Sequence, residues 1–158
     1  MLALLALILA ATPIPVNRVR VPLDDAGAAT VESKPGSVSV RFERDGLAPF
    51  TCTEFGKVAR WEPYVAYLRD VAAQAPSHPS ADFGLALSGA AGVVGASAPG
   101  YCNAAASTRD GALILVVIHN RACYGSAGCV TDTIAYLPSP DALLTLADAI
   151  AAATVPTP

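Results

Sequence analysis

Val38-Ser39-Val40-Arg41-Phe42-Glu43-Arg44, followed at once by Asp45-Gly46, is the stretch whose reading decides the fold class. Apolar and polar residues alternate with a period of two, the pattern of a strand with one buried and one wet face. Asp-Gly behind such a strand signals a two-residue type I′ turn, whose positive φ angles Gly tolerates and whose twist matches paired strands. Residues 47–52 are therefore expected to return antiparallel. Pro49 marks that return as an edge strand or cuts it short, because proline donates no ladder hydrogen bond.

Working outward, residues 16–33 alternate loosely and read as one strand. Past the hairpin the period changes. Val58, Trp61, Val65, Leu68 and Ala72 recur at three- and four-residue steps, which places them on one face of a helix at 62–74. Pro63 is tolerated there because the first turn has no intrahelical donor to lose. Trp61, Tyr64 and Tyr67 invite an aromatic binding patch, but the helical spacing of Trp61 with Val65 and Leu68 assigns it to a core. Residues 83–87 alternate again. Residues 88–111 are rich in Gly, Ala and Ser, are broken by Pro99-Gly100, and read as a long loop of the kind that is often functional or mobile.

The run 112–118, Ala-Leu-Ile-Leu-Val-Val-Ile, is continuously apolar, which predicts a central strand buried on both faces. Residues 130–137 form a further strand. Ser139-Pro140-Asp141 supplies an N-cap, a first-turn proline and an acidic first-turn residue in order, opening a helix over 140–153 that carries Leu143, Leu144, Ala147, Ile150 and Ala151. No internal repeat is visible. The expected fold is α+β: a mostly antiparallel sheet of four to six strands covered by two helices and stapled by disulfides.

Compartment follows from two features. Residues 2–11 are uninterrupted apolar, the length of a signal-peptide core and well short of the roughly 20 residues a spanning helix needs, so no stable membrane span is expected. No Lys or Arg precedes the run and no Ala-x-Ala site follows it, whereas Pro13 and Pro15 end any regular element there. The domain plan is a signal peptide at 1–15, one exported α+β domain at 16–153 and a frayed tail at 154–158. Four cysteines in a chain of this length fit an oxidising compartment, periplasmic or secreted. The net charge is −3, and the ten basic residues are scattered from Arg18 to Arg121 without a cluster, giving no footprint for nucleic acid and no polybasic membrane patch.

Cys123 and Cys129 flank Tyr-Gly-Ser-Ala-Gly between two expected strands, a hairpin that brings its ends to disulfide distance. Four cysteines allow three pairings, of which 123–129 with 52–102 is preferred. By chain entropy the short ring contributes about 2 kcal/mol, and a Cys52–Cys102 bond closing a loop of about fifty residues contributes about 4 kcal/mol. The rival is zinc on Cys102, His119, Cys123 and Cys129. Its cysteine spacings lack the close ligand pairs of zinc sites, and no Cys-x-x-Cys is present, so neither metal nor cofactor is expected.

His119 ends the most apolar strand, where a histidine serves as a hydrogen-bonded structural residue. The enzyme alternative is a small hydrolase using His119 with Asp110 or Asp132. No G-x-S-x-G elbow exists, His78 lies in a Ser-His-Pro turn, Glu43 and Asp45 are the wet side of a hairpin, and Gly89, Gly92 and Gly95 do not open a helix of a βαβ unit. No catalytic residue is assigned. The functional expectation is a non-enzymatic binding or envelope-interaction domain for a small molecule or an envelope protein.

The order of apolar leader, proline-bearing segment (Pro13 to Pro22), strand ending in Arg44-Asp45-Gly46, helix with Tyr67-Leu68, then Pro76, Pro79 and the strand at 83–87 resembles the periplasmic domain of the ExbD/TolR energy-transducing proteins. The resemblance covers residues 1–88 and implies an envelope component. The chain departs from that family in its short apolar segment, in the lack of a membrane aspartate for proton coupling, and in residues 89–137, which have no counterpart.

Overall fold

The computed structural model describes residues 17–55, 61–87, 102–123 and 127–154. The expected leader, the stretch 88–101, residues 56–60 ahead of the first helix, the loop centre 124–126 and the tail from 155 lie outside the described residues. The elements are β1 (Asn17–Asp24), β2 (Gly27–Lys34), β3 (Ser37–Arg44), β4 (Phe50–Phe55), α1 (Glu62–Gln74), a 3₁₀ turn at Ala75–Ser77, β5 (Ala81–Leu87), β6 (Cys102–Arg109), β7 (Ala112–Cys123), β8 (Cys129–Tyr136) and α2 (Pro140–Thr154). Strands β1-β2-β3-β4 form one antiparallel sheet and β5-β6-β7-β8 a second, so the α+β class holds with two sheets of four strands in place of one of four to six. Four strands and a helix occur twice in succession, a repeat of topology that the residues themselves do not display.

Three local expectations are corrected. Residues 16–33 are two strands. Asp24 turns the chain between them by accepting the Ala26 N–H on Oδ1 at 3.0 Å, an Asx turn that needs no glycine. The turn after β3 is not type I′: Gly46 has φ 77° while Asp45 is not at positive φ, Leu47 N donates to Arg44 O at 3.1 Å, and Pro49 delays β4 to Phe50. The type I′ signature falls instead at Asp110-Gly111, with φ 51° and 81° between β6 and β7. Finally, β6 lies inside the stretch read as loop. Its buried positions are Cys102, Ala104, Ala106 and Thr108, small residues whose alternation with Asn103, Ala105 and Ser107 carries little hydropathy contrast.

Register builds the core. Val21, Ala29, Phe42 and Phe50 are cross-strand neighbours on one face of the first sheet, with Val31, Val40 and Cys52 alongside. On the second sheet Ala104, Val117 and Ile134 form one row and Ala106, Leu115 and Tyr136 the next. The two faces meet where β3 and β4 approach β8 and β7, with the Phe42 and Tyr136 rings 6.2 Å apart. The Cys52–Cys102 disulfide joins the sheets there, with Cα atoms 5.6 Å apart at a sequence separation of 50.

Helix α1 buries Tyr64, Val65, Leu68, Val71 and Ala72, and α2 buries Leu143, Leu146, Ala147 and Ile150. The helices pack on each other, α1 against β5 and α2 against β1, β2 and β3, closing one continuous core. Trp61 is buried in it, as its spacing implied. The Ser139 cap forms, its Oγ accepting the Ala142 N–H at 3.1 Å. Central strand β7 buries Leu113, Leu115 and Val117, but Ile114, Val116 and Ile118 on its other face are only half-buried, because both helices pack on the inner side.

Among the described residues no helix is long and apolar enough to cross a membrane.

Candidate functional site

Cross-strand register sets Cys102, His119 and Asp132 side by side on β6, β7 and β8. Phe50 of β4 stacks on the imidazole, ring centroids 5.1 Å apart and planes inclined by 11°. His119 therefore sits between an aromatic plate and the inter-sheet disulfide. Its Nδ1 is buried without a hydrogen-bond partner, 3.7 Å from Asp132 Oδ2, and Asp132 Oδ1 is 4.0 Å from Arg121 Nη1. A His–Asp pair oriented for general-base work is held at 2.6–3.2 Å. At 3.7 Å the carboxylate does not hold the imidazole. The neighbouring Cys102 is oxidised and offers no thiol as nucleophile or as zinc ligand.

The structure thus brings Asp132 to His119 and separates Asp110 from it. Asp110 turns the chain before β7 and His119 lies near the far end of that strand, roughly 25 Å away at about 3.3 Å per residue. His78 is far from both in role: its Nδ1 donates to Gln74 O at 2.9 Å at the end of α1, and its own carbonyl accepts from the Thr108 hydroxyl. Cys123 and Cys129 are register partners at the loop end of the β7–β8 hairpin. Directly opposed residues of an antiparallel pair have Cα atoms about 4.5–5.5 Å apart, inside the range of a disulfide.

A second polar cluster, not foreseen from the sequence, ties the sheets at the other end of β3. Asp24 accepts the Leu137 N–H at 2.8 Å and the Arg44 guanidinium at 2.5 Å on the same oxygen. Burial pushes this carboxyl up, but the Leu137, Arg44 and Ala26 donors together outweigh it and hold the group below its ordinary range. Arg44 also lies over the Tyr136 ring at 5.8 Å, and the Tyr136 hydroxyl donates to Glu43 O at 3.2 Å. Burial raises the Tyr136 pKa, so the phenol stays a donor.

The outward faces of the two sheets differ in chemistry. On the second sheet Leu85, Ala105, Val116 and Ala135 form an apolar row flanked by Ile118. On the first sheet Arg18, Arg20, Glu32, Lys34, Ser39, Arg41, Glu43, Thr51 and Thr53 point outward, opposite in parity to the core residues. Basic residues scattered over 24 positions of sequence thereby share one face. The signal was available: Arg18, Arg20 and Arg41 occupy the alternate, wet positions of their strands.

No protein-family model, curated protein or solved structure matches this chain. Its function is argued from its residues.

Proposed function

We propose that this chain is an exported, disulfide-locked domain whose task is binding rather than catalysis. The observation that carries the reading is the buried Cys52–Cys102 bond, placed in the core where the two sheets meet. Such bonds form and persist in oxidising compartments and are rare in reducing ones. The geometry at His119 supports binding over chemistry, since the ring is stacked on Phe50 and the nearest carboxylate stands beyond hydrogen-bond reach. In this reading residues 1–15 are the cleaved leader, the compartment is the periplasm or the extracellular space, and Cys123–Cys129 is a second bond.

The hydrolase reading is favoured by one observation, the buried unpartnered Nδ1 of His119 facing Asp132. Expression with export separates the two. N-terminal sequencing should start between residues 11 and 16, and peptide mapping without reduction should recover 52–102 and 123–129 linked. His119→Ala should lower stability by about 1–3 kcal/mol through the packing lost against Phe50. An exported chain with free thiols at all four cysteines would sink the proposal. A His119→Ala protein with unchanged melting temperature and a turnover reduced by about 10² on an identified substrate would establish the hydrolase.

A further inference from the structure

We propose that the outward face of the β1–β4 sheet binds an anionic polysaccharide, through Arg18, Arg20, Lys34 and Arg41. The inference deepens the binding-module reading and rests on it.

The face is built from two triads. Arg18 and Lys34 clamp Glu32 at 2.6 and 2.7 Å, and Arg20 and Arg41 flank Glu43 at 3.1 and 3.8 Å. One carboxylate compensates one cation, so each triad keeps one positive charge in excess. With the chain at −3 overall, an excess of two positive charges on this face leaves −5 for the rest of the molecule. The charges are segregated in space although they are scattered in sequence.

Depth decides which sign an approaching ligand meets. The four cationic side chains are 66%, 61%, 55% and 52% exposed, whereas Glu32 is 18% and Glu43 35% exposed. The carboxylates are sunk beneath the cations. The order is reversed where Arg69 and Arg109 pair one to one with Asp148 and Asp82, the aspartate being the more exposed partner, whereas Asp24 and Asp132 are again deeper than Arg44 and Arg121. On this face each of two recessed carboxylates lies beneath two more exposed cations.

The remaining side chains select the class of polyanion. Thr30, Ser39, Thr51 and Thr53 interleave with the cations, offering hydroxyl donors and acceptors to a hydroxylated ligand. Among the described side chains of this face none is aromatic to stack nucleic-acid bases. Nor is any of these described side chains a large apolar group that would enter a bilayer interface or form the buried centre of a protein interface. A wet, cationic and hydroxyl-bearing sheet face matches a chain of sugars bearing carboxylates or sulfates, which needs cations for its charges and hydrogen bonds for its hydroxyls.

The test uses the oxidised, purified chain with polygalacturonate as probe at about 50 mM salt, where surface charges are least screened. Wild type is expected to bind it and not neutral dextran. Arg18→Gln/Arg20→Gln/Arg41→Gln should weaken binding by roughly tenfold, the sum of three exposed ion-pair contributions. Glu32→Gln/Glu43→Gln should tighten it by roughly threefold, a gain that misfolding cannot mimic. Arg69→Gln/Arg109→Gln should leave it within about twofold, since those arginines lie outside the face. Absence of binding by wild type overturns the proposal, as does equal weakening by the Arg69/Arg109 variant, or tighter capture by anionic phosphatidylglycerol vesicles, duplex DNA or poly-glutamate. A chain that is exported and oxidised but ignores the glycan fails this inference alone; a chain retained in the cytosol fails the earlier reading whatever it binds.

Discussion

At Gly27 the chain has no room for a methyl group. A Cβ there would lie 2.5 Å from Tyr136 Cε1 and 2.9 Å from the Glu43 carbonyl oxygen, because the Tyr136 ring is seated on the start of β2 and tethered by its hydroxyl to that same carbonyl. Gly in a strand ordinarily costs about 0.5–1 kcal/mol relative to Ala, so two effects of opposite sign compete. The overpacking term, about 1–3 kcal/mol, is the larger. Gly27→Ala should therefore lower the urea midpoint, and a raised midpoint would mean that the ring gives way. Close by, Asp24 makes stability depend on pH. Its folded pKa lies below the ordinary 3.8, so the folded chain binds its proton more weakly than the unfolded chain does. The contribution is complete above the unfolded value and is lost as pH falls through the depressed folded one. Asp24→Asn should cost about 1–3 kcal/mol at pH 7. In thermal melts the gap between the two proteins should close as pH drops below 3.8, and a gap independent of pH would refute the role.

Among the elements, β5 shows how a defect in a ladder is repaired by a side chain from elsewhere. Its pairing with β6 is irregular between Asp82 and Leu85, where Gly84 takes φ 77°. The Tyr67 hydroxyl of α1 fills the gap, donating to Gly84 O and accepting from Ala106 N, both at 2.8 Å. Tyr67→Phe leaves two backbone groups unpaired and should cost about 1–3 kcal/mol. Amide exchange at Ala106 should accelerate more than elsewhere in β6; uniform acceleration would point to a global effect instead. Elements with strong local signals were legible in the sequence: α1 by its apolar steps, α2 by Ser139-Pro140-Asp141, β7 by its unbroken apolar run. Strand β6 was not, because its inward positions are alanines, a cysteine and a threonine. The Asp24 junction was equally hidden, and of the cationic face only the wet positions of Arg18, Arg20 and Arg41 were legible, because which strand pairs with which is not written in the local pattern. Asp132 was legible as a neighbour of His119 only as one of two choices, and strand register chose it over Asp110.

For the whole molecule, the bond between Cys52 and Cys102 ties β4 to β6 and hence one sheet to the other. Both cysteines are buried, so a reductant reaches them only when the sheets part. The Cys52→Ala/Cys102→Ala protein should lose about 4 kcal/mol, the entropy of a loop of fifty residues. In chemical denaturation both sheets should still unfold together; separate transitions would show two independently stable halves.

The crossed placement of the helices sets an order in time. The helix that follows the first sheet packs on the second, and the helix that covers the first sheet comes last of the described elements. A ribosome releases the first four strands long before it releases their cover, so the apolar rows of that sheet have nothing of their own to close on until α2 has emerged. The nascent polypeptide stays threadable up to that point, and it locks when α2 arrives.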